Sequence, residues 1–102
     1  MAVFVNKLTV VGPTDEMEAL YSRIGDFMST RPGIVRYQLV RSTKEANIYF
    51  NIAEWENAEY FRQALKEDEF QALYAELKPL IKGDAHLSEV VQEGTRESRN
   101  QG

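Results

Sequence analysis

The sequence predicts an α+β domain of ferredoxin-like order, β-α-β-β-α-β, and three observations predict it. Runs rich in β-branched residues alternate with segments of helical periodicity. Turn and capping residues fall between those segments, and the resulting order leaves two helices to cover one face of four strands. The 102 residues suit one domain with a modest core. Residues 1–93 are read as that domain, and 94–102 (GTRESRNQG) as a polar tail without an apolar side chain.

Residues 2–11 (AVFVNKLTVV) read as the first strand, closed by Gly12-Pro13. Asp15 and Glu18 have the spacing of a capping box for the helix that follows. In that helix Met17, Leu20, Tyr21, Ile24, Phe27 and Met28 recur at helical spacing and form one apolar stripe. Pro32 pushes Arg31 out of the helical region and Gly33 tolerates the turn, so RPG ends the helix. Residues 34–42 (IVRYQLVRS) and 48–56 (IYFNIAEWE) read as a hairpin across the polar TKEAN. Asn57 caps a second helix through Phe61, Ala64 and Leu65. Asp68 and Gln71 have the pattern of another capping box, so the helix breaks or restarts there. Pro79 kinks or ends the stripe that runs from Phe70 to Ile81. Residues 86–93 (HLSEVVQE) are the expected fourth strand.

Parity adds a partner. In the third strand Ile48, Phe50 and Ile52 lie on one face, and Tyr49, Asn51, Ala53 and Trp55 on the other. In the first strand Phe4, Asn6, Leu8 and Val10 face one way, and Val3, Val5 and Val11 the other. Both faces of both strands are substantially apolar, yet the helices cover only one. A second copy is expected on the other, giving a homodimer joined sheet to sheet about a two-fold axis.

Composition narrows the function. With 43% hydrophobic and 27% charged residues the chain is an ordinary globular one. A net charge of -4 and no basic stripe argue against a nucleic-acid partner. No apolar run approaches the ~18 residues of a membrane span, and the N-terminus does not read as a signal peptide. The absence of cysteine removes disulfides, thiolate catalysis and cysteine-ligated metals, and fits a cytoplasmic protein. His86, the single histidine, has no carboxylate pair beside it and reads as a surface residue. No glycine-rich phosphate loop, nucleophile elbow or zinc-protease helix is present.

What remains is an apolar pocket with neutral hydrogen-bonding groups. Asn51 and Trp55 stand about 13 Å apart at roughly 3.3 Å per residue. The small Ala53 between them leaves a hollow beside Tyr49. A buried amide without a partner costs roughly 1–3 kcal/mol, and Asn6 repeats the oddity in the first strand. Either both amides satisfy a bulge, a backbone group or a buried water, or both serve a ligand. Parity leaves open whether the two share a face. The Tyr21 and Phe27 stripe and the Phe70 and Tyr74 stripe are core, and pocket wall only where a ligand lies beneath.

FVNKLTV, RPGIVRYQLVRS and YFNIAEWENAEYFRQAL together resemble the antibiotic biosynthesis monooxygenase family of dimeric α/β barrels. Within it the chain looks most like the cofactor-independent anthrone oxygenases of aromatic polyketide pathways. The strongest pieces are Asn-x-x-x-Trp at Asn51 and Trp55 and the Val-Asn pair at 5–6. The resemblance implies that Asn6, Asn51 and Trp55 form the catalytic set on one pocket wall of a dimeric barrel. It further implies that Tyr49, Phe27, Phe61, Leu65 and Tyr74 contact a small aromatic substrate. The implied reaction oxidises an anthrone-type intermediate to a quinone with O2 as co-substrate and no cofactor, because the ionised substrate supplies the electrons. The same pocket also suits a non-catalytic barrel that binds a small aromatic, or a cyclase or isomerase that needs no O2. Haem-degrading members use a histidine ligand and a tryptophan at positions that here hold Tyr74 and Ala64, which argues against histidine ligation of haem.

Overall fold

A computed structural model describes residues 1–96, so the last six residues of the expected tail lie outside the described part. In chain order come β1 (Ala2–Val10), α1 (Thr14–Met28), β2 (Ile34–Arg41), β3 (Ile48–Trp55), α2 (Ala58–Leu65), α3 (Asp68–Leu77) and β4 (Ile81–Glu89). A single 3-10 turn, Lys78–Leu80, carries Pro79 and ends α3. The strands form one antiparallel sheet in the order β2-β3-β1-β4, with helices packed on one face: the ferredoxin-like α+β arrangement.

Local chemistry explains most boundaries. Asn57 caps α2 by accepting the Tyr60 N–H at 3.0 Å. Gly33 turns the chain into β2 at φ +87°, a backbone region open to glycine. Neither expected capping box forms. Pro13, extended and without an N–H, sets the start of α1 at Thr14, so Asp15 only takes the adjacent Glu16 N–H. Glu18 instead turns to the sheet and accepts the Tyr49 hydroxyl. Ahead of α3 the cap residue is Glu67, and the Gln71 side chain donates back to the Leu65 carbonyl at 2.5 Å, tying α2 to α3.

The fourth strand begins at Ile81 rather than at residue 86. Val11 N–H donates to the Leu80 carbonyl at 2.8 Å and Ile81 pairs with Val10, so pairing starts directly after the proline turn. At this sheet edge, polar Lys82 and Asp84 are tolerated because only one side needs a partner. Val90 and Val91, expected within the strand, lie beyond it and are exposed.

A bulge at Val35 breaks the parity of β2. Ile34 pairs with Trp55 and Tyr37 with Ala53, three residues spanning two, so both point to the helix-covered face. On that face two clusters form. Leu8, Val10, Met17, Leu20, Tyr49 and Leu77 are among the members of one, and Ala2, Ala53, Trp55, Phe61 and Ala64 make the other.

Candidate active site

Between the two clusters the helices stand off the sheet and leave a cavity of about 90 Å³. That is well above the roughly 10–15 Å³ one water occupies. Its floor is built by strand register: Asn6 pairs directly with Asn51, and Phe4 with Ala53. Residues opposite each other on antiparallel strands share a face, so the two asparagines are neighbours on the cavity floor. Phe61 and Leu65 from α2 and Tyr74 from α3 reach the same cavity. Phe61 meets Trp55 edge to face at 5.7 Å and lies 4.8 Å from Phe4.

The two amides differ in what holds them. Asn6 Oδ1 accepts the Asp84 backbone N–H at 3.0 Å. A backbone N–H only donates, so this bond fixes the amide with its Nδ2 donor free of that edge. Gly83 leaves the space: a Cβ there would come within 3.2 Å of Asn6 Oδ1. Asn51 has no such anchor. It is 8% exposed and its Oδ1 has no hydrogen-bond partner. The same is true of Trp55 Nε1 in a side chain that is 1% exposed. Buried polar atoms are normally paired, and each orphan costs roughly 1–3 kcal/mol. No group among the described residues pairs with this acceptor and this donor, so a water or a polar ligand in the cavity would have to satisfy them.

No lining residue carries a formal charge. Tyr21, expected as core or pocket wall, lines the cavity, and so does Tyr37, which the sequence pattern does not single out. Burial pushes the Tyr21 phenol well above its usual value, the Asn51 side chain pulling the other way, so its proton stays on. Tyr37 was concealed by the bulge. Its one sequence signal is Gly25 inside α1, where a Cβ would lie 2.0 Å from the Tyr37 hydroxyl. Among the described residues no group of three or more His, Asp or Glu side chains gathers to hold a metal.

Two expected contacts fall elsewhere. Tyr49 shares the face of Asn51 but sits one pleat further along, opposite Leu8, where the core has closed. Its hydroxyl donates to Glu18 and takes Arg41 Nη1 at 3.4 Å; burial and the Glu18 carboxylate raise its pKa. Phe27 packs in the core with the Arg31 guanidinium 4.8 Å above its ring, on the side of the groove between α1 and α3. Neither reaches the cavity.

With this fold and this uncharged, asparagine-bearing cavity, the chain belongs to the antibiotic biosynthesis monooxygenase family, whose profile matches residues 1–76. It is 40% identical over 67 residues to deoxynogalonate monooxygenase of Streptomyces nogalater. That match covers 66% of this chain and 57% of the relative, so the chain spans under two thirds of that protein's length. Its fold superposes on the crystal structure of SnoaB, a cofactor-independent oxygenase of the same organism, with a TM-score of 0.88 and 34% identity. That alignment covers 90% of this chain and 94% of SnoaB. A family protein of Deinococcus radiodurans, at 13% identity and TM-score 0.84 over 96% of this chain and all of that one, shares the fold.

Proposed function

We propose that the protein is a cofactor-independent monooxygenase that oxidises an anthrone-type polycyclic phenol to a quinone with O2. The observation that carries this reading is the pair of open polar atoms, Asn51 Oδ1 and Trp55 Nε1, beside the pinned amide of Asn6 in an uncharged cavity. A site built to hold a charged cofactor would present charged or metal-ligating groups; this one presents neutral donors and acceptors.

The chemistry suits them. An anthrone loses a proton from its methylene carbon and becomes an extended enolate. The enolate passes one electron to O2, the resulting pair joins through a new C–O bond, the peroxide anion takes back a proton, and the hydroperoxide loses water to leave a carbonyl. One O2 thus turns a CH2 into C=O plus one H2O. The substrate plays the part a flavin plays elsewhere.

The protein's task is to favour the anion and hold it still. Asn6 Nδ2 and Trp55 Nε1 donate to the enolate oxygen, as an oxyanion hole does. In a dry apolar cavity those bonds count for more than in water. Asn51 completes the wall, and Phe61, Leu65 and Tyr74 hold the aromatic rings. No lining residue offers a carboxylate, imidazole or amine to take the methylene proton.

The working unit in this reading is a homodimer in the cytoplasm. Opposite the cavity the sheet presents half-buried Val3, Val5, Phe50 and Ile52, an apolar face that a second copy covers. No helix among the described residues is long and apolar enough to cross a membrane.

Oxygen uptake by metal-free protein given dithranol tests the reaction. Uptake well above the substrate's own autoxidation is expected; uptake equal to it refutes the oxygenase for this substrate class and leaves a binding protein.

A further inference from the structure

We propose that Tyr21 is a specificity-determining residue whose hydroxyl reads an oxygen substituent adjacent to the substrate's enolate oxygen, so that the protein selects peri-hydroxylated anthrones over unsubstituted ones. This rests on the reading of the cavity as an anthrone site.

Tyr21 is 7% exposed, yet it lines the cavity, and its phenol is close enough to the Asn51 side chain to be influenced by it. Tyr37 and Tyr74 stand near enough to act on it electrostatically, so three phenols from α1, β2 and α3 gather at this end. Gly25, one turn along α1 from Tyr21, gives up its side chain so that the Tyr37 hydroxyl fits against the helix. A glycine inside a helix costs roughly 0.5–1 kcal/mol relative to alanine. The fold accepts that cost to keep a polar tip where an apolar residue would pack as well.

Tyr49 supplies the contrast. Its ring is buried too, but its hydroxyl reaches outward and is tied to the half-exposed Glu18 and Arg41. The Tyr21 phenol lines the cavity beside Asn51, Tyr37 and Tyr74, all neutral, and burial keeps its proton on, so it has an O–H to donate. A ligand whose enolate oxygen meets Asn6 and Trp55 brings its next oxygen toward Asn51 and Tyr21. In a planar tricycle that next oxygen is a peri-phenol. A neutral donor suits it, because the phenol is an acceptor and carries no charge to balance.

The test is a substrate-by-residue cycle. Oxygen uptake is measured for dithranol, which has two peri-hydroxyls, and for anthrone, which has none, with the unaltered protein and with Tyr21→Phe. In parallel, binding is followed by quenching of Trp55, the single tryptophan and part of the cavity wall. The dithranol-to-anthrone ratio of kcat/KM and of binding is expected to fall about fivefold to tenfold in Tyr21→Phe, the worth of one neutral hydrogen bond. Intrinsic reactivity differences cancel in that ratio, and a merely structural phenol would weaken both substrates alike. An unchanged ratio in both readouts overturns the assignment of Tyr21. Selective quenching without oxygen uptake overturns the oxygenase reading and upholds the recognition; uptake with an unchanged ratio does the reverse.

Discussion

Two adjacent stretches of the same two strands treat polar atoms in opposite ways. At Leu8 and Tyr49 the sheet is sealed by Met17, Leu20, Leu73 and Leu77, and the Tyr49 hydroxyl is fully engaged by Glu18 and Arg41. One pleat away, at Asn6 and Asn51, the helices lift off, and Asn51 and Trp55 keep an acceptor and a donor unpaired. The difference is one of pairing: the chain itself satisfies the polar tip at Tyr49, and no group among the described residues reaches Asn51 Oδ1 or Trp55 Nε1.

The largest effect that would sharpen this contrast comes from Asn51→Leu, close to isosteric. Removing an orphan should raise stability by about 1–2 kcal/mol, or several degrees in Tm at roughly 4–8 °C per kcal/mol. Turnover should fall by about tenfold, the worth of one neutral hydrogen bond from the cavity wall to the substrate. Calorimetry beside an oxygen electrode reads both. A variant that is less stable and fully active would break the contrast.

Gly25→Ala should act next. Alanine gains helix propensity of about 1 kcal/mol, but its Cβ would lie 2.0 Å from the Tyr37 hydroxyl. The ring must swing away, so KM should rise several-fold at an almost unchanged Tm. In the sealed stretch, Tyr49→Phe should cost about 1 kcal/mol of stability through the lost bond to Glu18. Its kcat/KM should stay within about twofold, since the ring never touches the cavity.

The smallest effect is on pH. Tyr21 and Tyr49 both have raised pKa values, each through burial first. An unfolded tyrosine ionises near pH 10, so above that the native state holds protons the unfolded state has lost. The stability tied to these phenols is fully present below about pH 10 and declines as pH rises further. Tyr21→Phe and Tyr49→Phe should each flatten that decline in urea titrations between pH 9 and 11.

The element order, the RPG turn, the hairpin and the Asn57 cap were legible in sequence because each is written in a few adjacent residues. The fourth strand was misplaced because an edge strand such as KGDAH needs no apolar alternation; its start is dictated by pairing with Val10. Of the residues that line the cavity, parity singles out Asn51 and Trp55, and only the family resemblance brings Asn6 to the same wall and gives all three a role. Parity gives a face but no position along it, which is why Tyr49 was put in the hollow and lies beyond it. Tyr37 escaped because the bulge at Val35 shifts its face. Gly25 was the remaining clue, a helix-interior glycine that only a close neighbour explains.

Trp55 Nε1, a donor with no partner among the described residues, is expected to take a ligand oxygen. The chain has one tryptophan, so its NMR spectrum carries one indole N–H signal, that of Trp55. Titration with 1,8-dihydroxyanthraquinone, an oxygenated product analogue, should move that signal downfield and slow its exchange with solvent as Nε1 gains an acceptor. An indole signal that saturating ligand leaves unmoved would contradict the account.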